Sequence, residues 1–215
     1  MTSSKNTTTR VEGSSARDQI LAGVPVVRRQ ADIAGISTAI LEAGDGPPLV
    51  MLHGPGEFAE RWTRVIPGLL DHRRVIAPDL PGHGGSTIGG EPLDTDRVFA
   101  WLDALIEETC PSAPTLVGHI LGGAVVARYA MSRPERVAGI VLVDSLGLAK
   151  FRPRPRFALS LIGFMARPSD RSHHRFMGQC LADRDAVSEA MGDHWDALRE
   201  ITRSTGPETH RSRPR

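Results

Sequence analysis

Short apolar runs alternate with amphipathic segments along most of this chain. The apolar runs are typical of strands buried on both faces, and they cover residues 48–52, 74–78, 115–117 and 137–143. Between them, apolar residues at spacings of three and four predict helices over residues 58–70, 94–110 and 122–132. Strands that alternate with helices at this interval favour a mostly parallel sheet covered on both faces, so we predict a doubly wound α/β fold.

The two ends of the chain depart from this rhythm. Residues 27–42 hold two runs of partial apolar alternation around Ala34 and Gly35, which predicts an antiparallel N-terminal hairpin. After Val143, a Pro/Arg spacer, an apolar stretch at 157–166 and a helical pattern at 185–201 predict a partial helical cap. The expected organisation is a disordered leader, a six-stranded core, the partial cap and a disordered tail, at residues 1–19, 20–149, 150–203 and 204–215.

Composition narrows the classes of partner. A chain of 215 residues with 40% hydrophobic content can bury one core, and its net charge of +1 gives no reason to expect nucleic acid. Cys110 and Cys180 are isolated, so neither a disulfide framework, a metal site nor a cofactor is implied. No apolar run has the length of a signal peptide or a membrane span, so a cytoplasmic protein is expected.

Two glycine-rich turns follow predicted strands, at the positions where α/β proteins bind ligands. In the first, Gly54, Gly56 and Ala59 fit a dinucleotide fingerprint, with Asp79 at the end of the next strand. The second runs Gly118-His119-Ile120-Leu121-Gly122-Gly123 and opens a predicted helix. Glycines on both sides of a central residue are what a nucleophile elbow requires, because its strand-to-helix turn is too tight for side chains.

Several short motifs follow one another in a fixed order along the chain. They are the His53-Gly54 turn, Pro78-Asp-Leu-Pro-Gly-His-Gly84, residues 118–123, Arg133-Pro-Glu-Arg136 and Leu142-Val-Asp-Ser145. In order and spacing, residues 48–145 resemble the α/β-hydrolase family, in its serine-hydrolase or esterase-like branch. The antiparallel start disfavours a dinucleotide-binding fold, which is kept as an alternative.

The resemblance places Ile120 at the position of the family's catalytic nucleophile, which is Ser or, in some branches, Asp. A sec-butyl side chain has no lone pair and no proton to remove, so the family's covalent catalysis is excluded at this position. The resemblance also implies that the Leu121 N–H is one oxyanion donor. The usual second donor position is Pro55, which has no N–H, so Gly56 is the candidate replacement.

The other members of a catalytic triad are not evident. By resemblance the acid and the histidine follow later strands, whereas this chain ends within what looks like the cap, so we expect the last strands to be missing. Asp144 matches an alternative acid position, although a loop role is the simpler interpretation. Roles in packing or turns are expected for His53, His83 and His119. The remaining histidines in the cap and tail are expected to be solvent-exposed, namely His173, His174, His194 and His210.

The favoured hypothesis is therefore a catalytically inactive protein of ester-hydrolase or related lineage, whose ligand class would be a small hydrophobic or ester-like molecule. A second is a non-catalytic small-molecule-binding module on the same fold, and a third is an enzyme that uses Asp144 and a cap histidine. The stretch 157–166 either lines a hydrophobic pocket or covers the sheet, and residues 152–156 are expected to be a solvated linker. A sixth strand without a neighbour would leave an exposed edge, which favours self-association.

Overall fold

A six-stranded mixed sheet forms the centre of the protein. The computed structural model describes residues 14–88, 90–150, 152–167 and 169–180. The strands are β1 (Val27–Ile33), β2 (Ile36–Ala43), β3 (Pro48–Leu52), β4 (Arg74–Pro78), β5 (Thr115–His119) and β6 (Gly139–Val143). Their order across the sheet is β1-β2-β4-β3-β5-β6. β1 and β2 are antiparallel to their neighbours, and β4, β3, β5 and β6 are parallel to one another, which confirms the predicted sheet and its N-terminal hairpin.

Five α-helices are found in the part of the chain that the structure describes. They are α1 (Ser14–Leu21), α2 (Thr95–Thr109), α3 (Leu121–Ser132), α4 (Pro155–Ala166) and α5 (Asp170–Cys180). One apolar cluster places strand residues such as Val50 and Ile76 against Trp101 and Tyr129 of α2 and α3. On the opposite face, alternate strand residues such as Met51 belong to a second apolar cluster. This alternation between faces follows from the pleat of the strands.

The predicted helix at 58–70 is wrong. The structure has two short 3₁₀ helices there instead, Ala59–Trp62 and Ile66–Leu69. Pro67 explains the interruption, because it has no N–H to donate and disfavours a helical residue before it. The apolar residues that suggested a helix are nevertheless buried, since Trp62 and Ile66 are both in the core.

The expected leader also needs a correction. Residues 14–19 belong to α1, whereas 1–13 lie outside the described residues, as do the predicted helix at 185–201 and the tail at 204–215. α1 is held by Ile20, which is 1% exposed, and by Arg17, whose guanidinium lies 3.1 Å from Asp79 and 3.4 Å from Glu60. An ion pair across 62 positions leaves no periodic pattern in the sequence.

β6 forms one end of the sheet in the part of the chain that the structure describes, where its strand partner is β5. Ile140 and Val141 point to opposite faces and are 43% and 47% exposed. Self-association through this edge stays a prediction. No helix in the described ranges is long and apolar enough to cross a bilayer.

Candidate functional site

The turn between β5 and α3 holds Ile120 in a strained conformation. Its φ of 49° and ψ of −102° are outside the regions that a β-branched residue ordinarily adopts, and such strain costs about 1–3 kcal/mol. Both backbone groups of Ile120 are anchored. Its N–H donates to the Val143 carbonyl at 3.0 Å, and its carbonyl accepts from the N–H groups of Leu146 at 3.1 Å and Ala124 at 3.2 Å. The surrounding backbone therefore maintains the turn without help from the side chain.

The glycines of this turn are needed for close approach. A Cβ added at Gly118 would overlap the Gly122 carbonyl, and one at Gly122 would overlap the carbonyls of Leu52 and His53. A Cβ at Gly123 would lie 2.6 Å from the Ser145 hydroxyl. The Gly122 N–H also donates to the His53 carbonyl at 3.2 Å. The start of α3 is thus packed directly on the carboxyl end of β3, which brings the two predicted glycine-rich turns together.

The first of those turns spans Gly54 to Glu57. The Glu57 N–H donates to the Gly54 carbonyl at 3.3 Å, and Gly56 has a φ of 70°, so this is a type II turn with Pro55 at its second position. The Gly54 N–H is already committed to the Glu57 carboxylate at 2.8 Å. In this part of the structure the Leu121 N–H has no hydrogen-bond acceptor. The assignment of Leu121 and Gly56 as oxyanion donors stays a prediction.

His53 connects the ends of β3 and β4. It is fully buried; its Nε2 accepts from the Leu80 N–H at 2.9 Å, and its Nδ1 lies 2.8 Å from the Gly54 carbonyl. These partners require the neutral tautomer with a proton on Nδ1. Burial lowers the pKa of His53 to about 4, against the opposing effect of Asp79. Both ring nitrogens are used in the fold, which leaves neither for proton transfer.

Glu57 and His119 form a carboxylate–imidazole pair beside Ile120 that the sequence did not reveal. The two side chains are 21% and 19% exposed, and His119 Nδ1 lies 3.0 Å from Glu57 Oε2. Burial alone would raise the pKa of Glu57, but the His119 hydrogen bond, the Arg61 charge and the Gly54 N–H together lower it. The only sequence signal was a carboxylate directly after the first glycine turn, 62 positions before its partner. The pair links the two turns.

Replacement of Glu57 by Gln is expected to lower the free energy of unfolding by about 1–2 kcal/mol at pH 7, since hydrogen bonds to a charged group are lost. The folded-state pKa of Glu57 is lowered, so its contribution is present above the ordinary value of 4.5 and disappears as pH falls through the folded pKa. Urea unfolding at pH 7 and pH 3 checks this, with the exposed Glu135→Gln as control. A Glu57→Gln effect that stays constant between the two pH values would contradict it.

Asp144 lies at the end of β6 with a φ of 51°, and its side chain is exposed. Among the described residues its carboxylate has no hydrogen-bond or ion-pair partner, and the imidazole nearest to the turn, His119, is paired with Glu57 instead. Among the described residues, no histidine is therefore hydrogen-bonded to Asp144, and its role as an acid stays a prediction. His194 and His210 lie outside the described residues, as does the side chain of His173.

The dinucleotide alternative fits the structure poorly. It requires an α-helix after the Gly54–Gly56 turn, where only the 3₁₀ helix Ala59–Trp62 is found. It also requires a free carboxylate at Asp79, but that side chain is fully buried and accepts from the N–H groups of Ala59 and Gly85, each at 2.6 Å. The described residues contain no group of three or more His, Cys, Asp or Glu placed to hold a metal ion.

Comparison with known proteins agrees with this geometry. A family model described as the alpha/beta hydrolase fold matches residues 47–170. The 2-hydroxymuconate semialdehyde hydrolase of Pseudomonas sp. (strain CF600) is 37% identical over 136 residues, which are 58% of this chain and 46% of that protein. The pimeloyl-[acyl-carrier protein] methyl ester esterase of Aeromonas hydrophila is 36% identical over 110 residues, covering 51% and 42%. The chain thus spans less than half the length of these curated relatives.

A solved structure has the same fold. The 2-hydroxy-6-oxo-6-phenylhexa-2,4-dienoate hydrolase from Rhodococcus sp. strain RHA1 superposes with a TM-score of 0.73 at 24% sequence identity. The match covers 85% of this chain and 67% of that one. At this identity the likeness concerns the architecture and not the reaction.

Proposed function

Because the chain belongs to the α/β-hydrolase fold family, we propose that it derives from enzymes that cleave ester or related bonds and forms no covalent intermediate of its own. The observation that carries the proposal is Ile120. It occupies the turn between β5 and α3 with the positive φ and flanking glycines of a nucleophile elbow. The elbow is kept, and its reactive group is replaced by a hydrocarbon.

Isoleucine at position 120 affects the first step of the family's reaction, which is the attack on the substrate. Covalent hydrolysis needs an atom at the elbow that can attack a carbonyl and then leave it, and saturated carbon can do neither. The hydrogen-bond donors of the oxyanion site are mostly backbone groups, and the Leu121 N–H would survive a change of side chain. The proposed state is therefore a fold that keeps part of the electrostatic site and has lost the nucleophile.

We propose that the general base of the family's reaction is missing as well. Of the histidines next to the two turns, His53 uses both ring nitrogens within the fold. His119 is bound to Glu57 through Nδ1, but it directly precedes residue 120 and does not follow a later strand as the family's base does. Among the described residues, a serine introduced at position 120 would therefore have no histidine at the family's base position. The hydrophobic or ester-like ligand class is proposed on the family resemblance alone.

Turnover of short-chain p-nitrophenyl esters tests the proposal, with Ile120→Ala as the matched control. The natural chain is expected to turn over no faster than the Ile120→Ala variant. Ile120→Ser is expected to stay at least about 1000-fold below the roughly 10 s⁻¹ typical of enzymes, since no histidine among the described residues stands at the family's base position. Saturable turnover by the natural chain above the control would sink the proposal. Turnover by Ile120→Ser near the typical rate would show that one of the chain's histidines acts as the base.

A further inference from the structure

Helices α4 and α5 form a hairpin that packs on itself. Phe157 and Phe164 of α4 lie 5.6 Å and 5.7 Å from the ring of Phe176 on α5. The connection is held by two serines that cap the start of α5: the N–H of each donates to the hydroxyl of the other, Ser169 at 2.9 Å and Ser172 at 3.2 Å. The aromatic contact and the capped turn fix which side of α4 faces α5.

The other side of α4 is apolar and exposed. Leu159 and Ile162 are 70% and 62% exposed, and Gly163 and Ala166 continue the same face at spacings of three and four. A helix that packs on one neighbour normally turns polar residues to water on its outer face. α4 has no polar residue at these four outward positions.

Positive charge is concentrated in the segment that contains this apolar face. Residues 150–180 contain seven Lys and Arg but a single acidic residue, Asp170, although the whole chain has a net charge of only +1. All seven basic side chains are exposed, and they lie before α4, at its ends and on α5: Lys150, Arg152, Arg154, Arg156, Arg167, Arg171 and Arg175. Exposed apolar residues bordered by arginines are typical of helices that lie in a membrane interface.

We propose that the α4–α5 hairpin binds the surface of an anionic lipid bilayer, with Leu159 and Ile162 inserted among the acyl chains and the arginines on the lipid phosphates. An anionic bilayer supplies both an apolar phase and the complementary charge. A second copy of the chain would instead bring two positive hairpins together, which their mutual repulsion disfavours. α4 has 12 residues, so the proposed contact is interfacial and does not span the bilayer. The proposal is independent of the proposed loss of covalent catalysis.

Vesicle flotation of the full chain tests this, with phosphatidylcholine vesicles that either lack or contain about one third phosphatidylglycerol. Binding is expected only to the anionic vesicles and is expected to weaken at high salt. Arg152→Gln, Arg154→Gln and Arg156→Gln combined should reduce it roughly 100-fold, at about fivefold for each arginine near the surface. Leu159→Ser with Ile162→Ser should also reduce it strongly, while leaving the circular dichroism and melting temperature of the chain unchanged because both residues are exposed.

Two controls separate the hairpin from nonspecific attraction. Arg128→Gln removes an exposed charge on α3, and Val27→Ser removes an apolar side chain that is 68% exposed on β1. Neither is expected to change binding. Absence of flotation with anionic vesicles, or flotation that the hairpin variants reduce no more than the controls do, would overturn the proposal. Dimerisation through α4 without vesicle binding would assign the face to a second copy and overturn it as well.

Discussion

Replacement of Asp79 by Ala is expected to lower the free energy of unfolding by about 3–5 kcal/mol, because it removes one partner from a buried charge network. The Asp79 carboxylate is fully buried and accepts from two backbone N–H groups, those of Ala59 and Gly85, each at 2.6 Å. It also lies 3.1 Å from the guanidinium of Arg17. The variant would leave both N–H groups without an acceptor and weaken the attachment of α1 to the sheet.

The loss is limited by one opposing effect. Glu60 also contacts Arg17, and burial together with the Asp79 charge raises the pKa of Glu60, so removal of Asp79 relieves some repulsion. Urea unfolding measures the net change. Asp79→Asn keeps an acceptor and should cost less than Asp79→Ala, and the exposed Asp71→Ala should change stability by no more than about 0.5 kcal/mol. Equal effects of Asp79→Ala and Asp71→Ala would contradict the network.

The substitution Gly122→Ala is also expected to lower the free energy of unfolding strongly. The new Cβ would overlap the backbone carbonyls of Leu52 and His53, which are fixed in and after β3 and cannot move as a side chain would. A loss of about 3 kcal/mol or more is expected, at the upper end of what overpacking costs. The destabilisation reports the direct packing of α3 on β3, on which the geometry at Ile120 depends.

Gly68→Ala is the matched control for this prediction. Gly68 is exposed, and nothing lies within 4 Å of the position that its Cβ would take. Its replacement should change the free energy of unfolding by about 0.5 kcal/mol or less. Thermal melting of both variants in parallel makes the comparison, and a Gly122→Ala protein as stable as Gly68→Ala would show that α3 does not approach β3 so closely.

Much of the fold could be predicted because its signals are local. β3 and β4 are short apolar runs bounded by turn residues, and their bounds in the structure match the predicted ones. The β1–β2 hairpin follows from Ala34 and Gly35, whose positive φ values of 51° and 76° form a two-residue turn. The turn at Ile120 could be located because glycines are required wherever backbones come this close.

The features that sequence reasoning missed depend on contacts between distant residues. The apolar spacing of 58–70 indicated burial correctly but could not show that Pro67 would divide the helix into two 3₁₀ segments. Arg17 looked like part of a polar leader because its partners, Asp79 and Glu60, come from other elements. The Glu57–His119 pair likewise joins two turns that become neighbours only when β3 and β5 pair.

Ile120 combines a strained backbone with a side chain that has no reactive atom. A strained residue ordinarily persists where strain serves a reaction. Here the strain is maintained by the Val143, Leu146 and Ala124 hydrogen bonds, although the side chain has no reactive atom. The geometry of the turn is therefore compatible with the proposed loss of its chemistry, and the fold alone does not imply hydrolysis.

Pre-steady-state release of p-nitrophenol from p-nitrophenyl acetate distinguishes a chain that forms a covalent intermediate from one that does not, because a burst reports an acyl-enzyme intermediate. The natural chain is expected to release p-nitrophenol linearly from the start, with the same trace as Ile120→Ala. A burst that approaches about one equivalent per chain, and that is absent from the Ile120→Ala control, would show a covalent intermediate. That result would contradict the proposed loss of covalent catalysis at Ile120.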